Sequence, residues 1–244
     1  SLFSYYNSDK IVLAISKARP VEKKEFPYLY NIVDELCIAA GLPQPKKYVI
    51  DDTALNAFAT GRDPEHSVIC VTTGLLQTLK RDELEGVIAH ELSHIKNYDI
   101  RLMTITVVFV GLSTLLSDLI LRSVFWGRNR RDMDKAGIIL LVIGVILAIL
   151  SPIIATIIKL AISREREYLA DASGALMTRY PEGLANALEK ISKDKEPLEA
   201  ANNATAHLYI DDPFKDRKGI AKFMVSMFAT HPPIEDRIKR LRGM

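Results

Sequence analysis

The chain has 244 residues, 48% of them apolar and 25% charged, which are the averages of a soluble globular protein of one or two domains. That composition excludes a disordered chain, while 12 Gly, 11 Pro and 2 Cys exclude a collagen-like repeat, a disulfide scaffold and a cysteine-built zinc ribbon. A net charge of +2, from 32 Lys and Arg against 30 Asp and Glu dispersed along the chain, gives no reason to expect a nucleic-acid partner.

The first twenty residues hold only the short apolar run Ile11 to Ile15, so no secretory signal peptide is visible, and a chain starting at Ser1 is expected to be a fragment. Val21 to Ala40 has the pattern of an amphipathic helix, with Phe26, Leu29, Ile32, Val33 and Leu36 on one face and Gly41-Leu42-Pro43 as its stop. Lys47 to Ile50 and Ser67 to Thr72 are β-branched runs bounded by turn residues and read as strands. Asp82 is expected to cap the next helix, with Glu85 at the capping-box position and Leu84, Val87, Ile88, Leu92 and Ile95 on its buried face. Further helices are expected at Glu165 to Met177, at Glu182 to Lys193 and after Pro232-Pro233.

Between these halves the apolar residues concentrate. Gly137 to Ile158 contains twenty-two residues without a charge, seventeen of them Ala, Val, Ile or Leu, enough for a helix of roughly 33 Å. Met103 to Leu121 is a weaker run broken by Asp118, which has Arg122 four residues on as a helical partner. The two runs, joined by a turn containing Trp126, Arg128, Arg130 and Arg131, read as one transmembrane hairpin. Two crossings return the chain to its starting side. Basic residues balance on the two sides and leave the orientation undecided, while free Cys37 and Cys70 lean toward a reducing compartment.

The chemistry lies in His90-Glu91-Leu92-Ser93-His94, an HExxH motif inside the apolar pattern of the helix. Positions four apart differ by about 40° around a helix and one turn along it, so both imidazoles reach one metal while Glu91 flanks the open coordination position. A catalytic zinc needs a third protein ligand. Asn97 and Ile100 stand where a metzincin would have Gly and His, so that ligand comes from further away. In SREREYLADASG, Glu167 and Asp171 share a helix face; Glu167 is the candidate ligand, Glu165 its competitor, and Asp171 the acid that would hold the outer nitrogen of a ligand imidazole.

These residues resemble the HtpX family of membrane zinc proteases, relatives of the CAAX prenyl proteases. The matching stretches are SYYNSDKIVL, LNAFATGR, LEGVIAHELSHIKNYD, SREREYLADASGA, ATAHLYI and ATHPPIEDRIKRL, nearly the whole chain. The resemblance implies one zinc held by His90, His94 and Glu167, Glu91 as catalytic base and Asp171 in support. It also implies a prokaryotic cell membrane, with the protease domain facing the cytoplasm. Family members carry two membrane helices ahead of the stretch matching SYYNSDKIVL, which agrees with a fragment. His231 is the expected second oxyanion donor by resemblance, with Tyr98 and Tyr168 as alternatives, and Asn56, Ala57 and Phe58 are expected on an edge that takes substrate backbone as an added strand. His66 and His207 have no ligand spacing and read as structural.

The expected architecture is therefore mainly α with a small β-sheet, an α+β zincin-type metalloprotease domain interrupted by a transmembrane helical hairpin. Its parts are a juxtamembrane segment 1–20, a first protease part 21–101, the hairpin 102–159 and a second protease part 160–244. The expected function is zinc-dependent hydrolysis of peptide bonds in misfolded or damaged membrane proteins, with a zinc-activated water and Glu91 as general base. Processing of prenylated C-termini, or a non-enzymatic membrane protein with Asp118 as its functional group and a structural metal, are the alternatives.

Overall fold

A computed structural model describes residues 8–105, 143, 146, 164–201, 205, 208–211 and 232–244. The helices are α1 (Ser8–Ile15), α2 (Pro27–Ala40), α3 (Thr73–Thr78), α4 (Arg81–Lys96), α5 (Arg164–Thr178), α6 (Pro181–Lys193) and α7 (Ile234–Leu241). The strands are β1 (Arg19–Pro20), β2 (Lys46–Ile50), β3 (Ala57–Gly61) and β4 (Ser67–Thr72). Among the described residues the chain is thus mainly helical with one small mixed sheet, in the order β1-β2-β4-β3. β2 and β4 run parallel, while β1 on β2 and β3 on β4 are antiparallel.

Alternation along the strands splits the core in two. Val49, Ala57, Ala59, Ile69 and Val71 face the side on which α2, α4 and α6 bury Leu29, Ile32, Leu84, Ile88, Leu92, Leu184 and Leu188. Ile50, Phe58, Val68 and Cys70 face the other side, where Val12 and Leu13 of α1 meet Leu198, Leu208 and Tyr209. Both faces are covered, so every residue of β3 and β4 is buried.

The expected helix from Val21 starts later, at Pro27, whose fixed φ and missing N–H suit the first turn. It ends as read, with Gly41 in the left-handed region at φ 67°. β1 and α1 fall within the stretch read as juxtamembrane, and α3 within one that gave no helical pattern. Among the described residues no helix is long and apolar enough to cross a membrane. The expected hairpin, apart from 102–105, 143 and 146, lies outside the described residues, as do Asp118, His207 and His231.

Candidate metal centre

α4 carries the HExxH motif and is buried along nearly all of its second half, including His90, Glu91, Ser93 and His94. Its start differs from the expected cap. The Lys80 N–H donates to Glu83 Oε2 at 2.7 Å, and the same oxygen receives Lys190 Nζ of α6 at 2.7 Å. Glu83 is buried where that amide emerges, whereas Glu85 lies two positions on and pairs with Arg81 at 2.6 Å. The capping pair is therefore Lys80 and Glu83 rather than Asp82 and Glu85.

Helix α5 crosses α4 closely because Gly174 meets the His90 backbone, where a Cβ would stand 3.0 Å from the His90 nitrogen. This crossing delivers Glu167 to the two histidines. The His90 and His94 rings meet edge to face, with their Nε2 atoms 3.2 Å apart. Glu167 Oε1 lies 3.6 Å from His94 Nε2, and Glu167 Oε2 lies 3.8 Å from His90 Nε2. One ligand atom from each of the three residues falls within 4.8 Å of the others, and all three residues are buried. Glu165, the competing ligand, is exposed on the outer face of α5.

The outer nitrogens are equally ordered. His90 Nδ1 stands 2.9 Å from Asp171 Oδ1, and His94 Nδ1 stands 3.0 Å from Asp99 Oδ2. Each carboxylate rests in turn on an arginine: Arg237 donates to Asp171 through Nε at 2.9 Å and NH2 at 2.7 Å, and Arg166 NH1 donates to Asp99 Oδ1. With Nδ1 of each ring turned outward to a carboxylate, each imidazole presents its Nε2 toward buried Glu167. Arg237 NH1 reaches Glu167 Oε2 at 3.7 Å, and a cation held between the three donor atoms would add to that pairing. Donors sharing a tetrahedral ion at about 2.0–2.2 Å would be roughly 3.3–3.6 Å apart, and the separations of 3.2, 3.6 and 3.8 Å, the last two to different Glu167 oxygens, lie close to that spacing.

The electrostatics agree. Burial opposes charge on His94, but the Asp99 hydrogen bond and the Glu167 and Glu91 carboxylates outweigh it and push the imidazole up to about 9. Burial likewise opposes charge on Asp171, yet the Arg237 guanidinium and His90 hold its carboxyl down at about 2. The cluster attracts positive charge at its centre. Glu91 is buried one position after His90 and within electrostatic reach of His94 and Arg237.

The remaining expected residues lie as follows. Asn56 Nδ2 donates to the Asp211 carbonyl at 3.2 Å, and the Ile210 N–H donates to the Ala57 carbonyl at 3.0 Å. The Phe58 ring packs edge-on against Tyr209. The guanidinium of Arg240 stacks on the Tyr168 ring at 3.6 Å, Tyr98 is exposed, and exposed His66 holds Asp63 at 2.6 Å. Sequence reading missed Asp99, Arg166 and Arg237, although all three lie in motifs that it quoted.

The sequence profile of Peptidase family M48 matches residues 23–244. A protein named Protease HtpX homolog from Dictyoglomus thermophilum is 56% identical over 242 residues, covering 99% of this chain and 77% of that protein. Another of the same name, from Caldanaerobacter subterraneus, is 54% identical over 245 residues, covering 99% and 80%. In structure the chain resembles the crystal structure of S. mikatae Ste24p, with a TM-score of 0.55 and 21% identity over 98% of this chain and 55% of that one, a likeness of fold. By the extent of the family match and the identity to these relatives, the chain belongs to peptidase family M48 and is a metalloprotease.

Proposed function

We propose that the chain is a zinc-dependent endopeptidase that acts at a membrane, with His90, His94 and Glu167 as the zinc ligands and Glu91 as the general base. The observation that carries this reading is the buried convergence of the three ligand atoms within 4.8 Å, with both outer imidazole nitrogens held by carboxylates. A zinc ion bound there supplies a Lewis acid for the scissile carbonyl and an activated water as nucleophile. Glu91 takes the proton from the attacking water and returns it to the leaving amine, so its carboxylate must stay ionised in the resting enzyme. Asp171 and Asp99 each hold the outer Nδ1 of a ligand imidazole, which turns its Nε2 toward the metal position and fixes the ring's orientation.

Substrate enters along the outer edge of β3. The Thr72 N–H bonds the Asn56 carbonyl, and the register then turns the backbone of Ala57, Ala59 and Gly61 away from β4. Ile210 holds the Ala57 carbonyl and Thr104 Oγ1 holds the Gly61 carbonyl and amide, so the outward backbone of Ala59, itself buried, is where an extended peptide adds once this edge is uncovered. The expected contact through Asn56, Ala57 and Phe58 is thereby shifted two residues along, because the polar atoms of Asn56 and Ala57 are engaged by Asp211 and Ile210. His231 supplies the second oxyanion donor.

The domain is written in two pieces, 21–101 and 160–244, around a membrane hairpin at 102–159, with 1–20 leading in and the site on the cytoplasmic side of a prokaryotic membrane. Misfolded or damaged membrane proteins are its substrates. The experiment is Glu91→Gln in purified protein: the variant should keep one zinc per chain and lose casein cleavage by at least about 100-fold. A chelator should abolish wild-type cleavage and zinc restore it. Wild-type cleavage by the zinc-loaded variant, or a wild-type protein that binds no metal, overturns the reading.

A further inference from the structure

The turn after α4 does something that a helix end does not require. Tyr98 sits in the left-handed region at φ 59°, which a bulky side chain disfavours, and it carries its ring into solvent. Helical backbone resumes at once over 99–105. On an uninterrupted helix, residue 99 would lie about 140° around the axis from His94 and face away from its ring. The reversal at Tyr98 instead sets the Asp99 carboxylate under His94, with Oδ2 3.0 Å from Nδ1. The strain falls where it aims one side chain.

The second oxygen of that carboxylate is also engaged. Arg166, the residue before Glu167, donates NH1 to Asp99 Oδ1, across a sequence separation of 67 residues. One buried carboxylate thus touches the ring of one metal-site histidine and the residue adjoining the metal-site glutamate. It does so at the points where the chain leaves the first half of the described fold and enters the second.

We propose that Asp99 and Arg166 are positioning residues for the metal centre: Asp99 fixes the orientation of His94, and its ion pair with Arg166 sets α5 in register so that Glu167 meets both histidines. The inference rests on the reading of His90, His94 and Glu167 as ligands. Asp99 acts on the ion through His94, and Arg166 acts through Glu167. The side chain of Arg166 is partly open to solvent, whereas Arg237, its counterpart on the His90 side, is fully buried. The Asp99 pair can therefore be altered with less damage to the core.

The test uses the full chain stripped of metal, with zinc as the probe. Zinc affinity is read by competition with a chromophoric chelator, and stability by thermal unfolding of the metal-free protein. Asp99→Ala should weaken zinc binding by roughly 10–100-fold, the usual cost of losing an outer partner of a ligand histidine. Asp99→Asn, which keeps an acceptor but no charge, should fall between that variant and wild type. Arg166→Gln should also weaken binding, and Arg166→Lys should restore most of the loss. Should Asp99→Ala fail to fold, Asp99→Asn and Arg166→Gln carry the same comparison. Wild-type zinc affinity in the folded Asp99 and Arg166 variants, with only the metal-free unfolding temperature lowered, overturns the inference and leaves the ligand assignment standing. A wild-type protein that takes up no zinc overturns the ligand assignment itself, and the inference with it.

Discussion

Arg237 and Asp171 form a bidentate ion pair, both side chains buried and 66 residues apart in sequence. The same guanidinium donates to the Ile210 carbonyl at 3.3 Å and lies 3.7 Å from Glu167, so α7 is tied to α5 through the wall of the metal site. Replacing Arg237 by Met strands the Asp171 carboxylate in the core, which costs about 3–5 kcal/mol. The expected result is a lower denaturant midpoint in the metal-free protein. Arg237→Lys should recover little of it, since an ammonium cannot make two parallel bonds to a carboxylate.

Glu165 and Glu167 stand two positions apart on α5, one exposed and the other fully buried beside the histidines. Glu167→Gln should weaken zinc binding by more than the roughly 10–100-fold that accompanies loss of an outer partner. Glu165→Gln should leave zinc binding within twofold of wild type. Equilibrium dialysis against zinc separates the two candidates directly, and wild-type zinc binding by Glu167→Gln would remove Glu167 from the ligand set.

A Cβ on Gly86 would stand 2.5 Å from the Leu184 backbone nitrogen, a contact between α4 and α6 with no flexible side chain to move aside. Gly86→Ala favours the isolated helix by intrinsic propensity but forces the two helices apart, for a net loss of about 1–3 kcal/mol. Thermal unfolding should show a fall in midpoint. A rise would mean that the close approach of α4 and α6 is not needed.

Both cysteines are buried. Burial pushes the Cys37 thiol up to about 11 and the Cys70 thiol well above its ordinary value. At pH 8 a group titrating near 11 is only about 0.1% thiolate, against roughly a tenth or more for a free cysteine. A disulfide reagent at pH 8 should therefore find almost no fast-reacting thiol in the folded protein and two after addition of denaturant. A rapid single-thiol burst in the folded state would contradict this burial.

What could be read from the sequence depended on range. The His90–His94 spacing and the Glu167–Asp171 spacing are local helical relations, and the structure places all four side chains in one cluster. The buried positions Leu84, Val87, Ile88, Leu92 and Ile95 were legible from helical periodicity. β3 was not legible as a strand because Ala57 to Gly61 is mostly small residues buried on both faces, which leaves no alternation of apolar and polar. Asp99 escaped notice because its placement depends on a left-handed turn at a tyrosine, where propensity predicts none. Arg237 escaped because its partner is 66 residues away, and nothing in the basic pattern of α7 singles it out from Lys239 or Arg240.

The order of the chain gives the metal centre a timetable. Both histidines are synthesised before Glu167 and Arg166, which follow some seventy residues after His94, and the arginine that neutralises Asp171 comes 66 residues after it, on α7. A nascent chain that has passed only its HExxH helix holds two ligands of the proposed three and none of the arginine supports. Domains generally fold as units as synthesis proceeds, and the Asp171 side of this site gains its arginine only when α7 docks. The supports of the proposed ligands are therefore made after the ligands themselves, Arg237 some seventy residues behind Glu167.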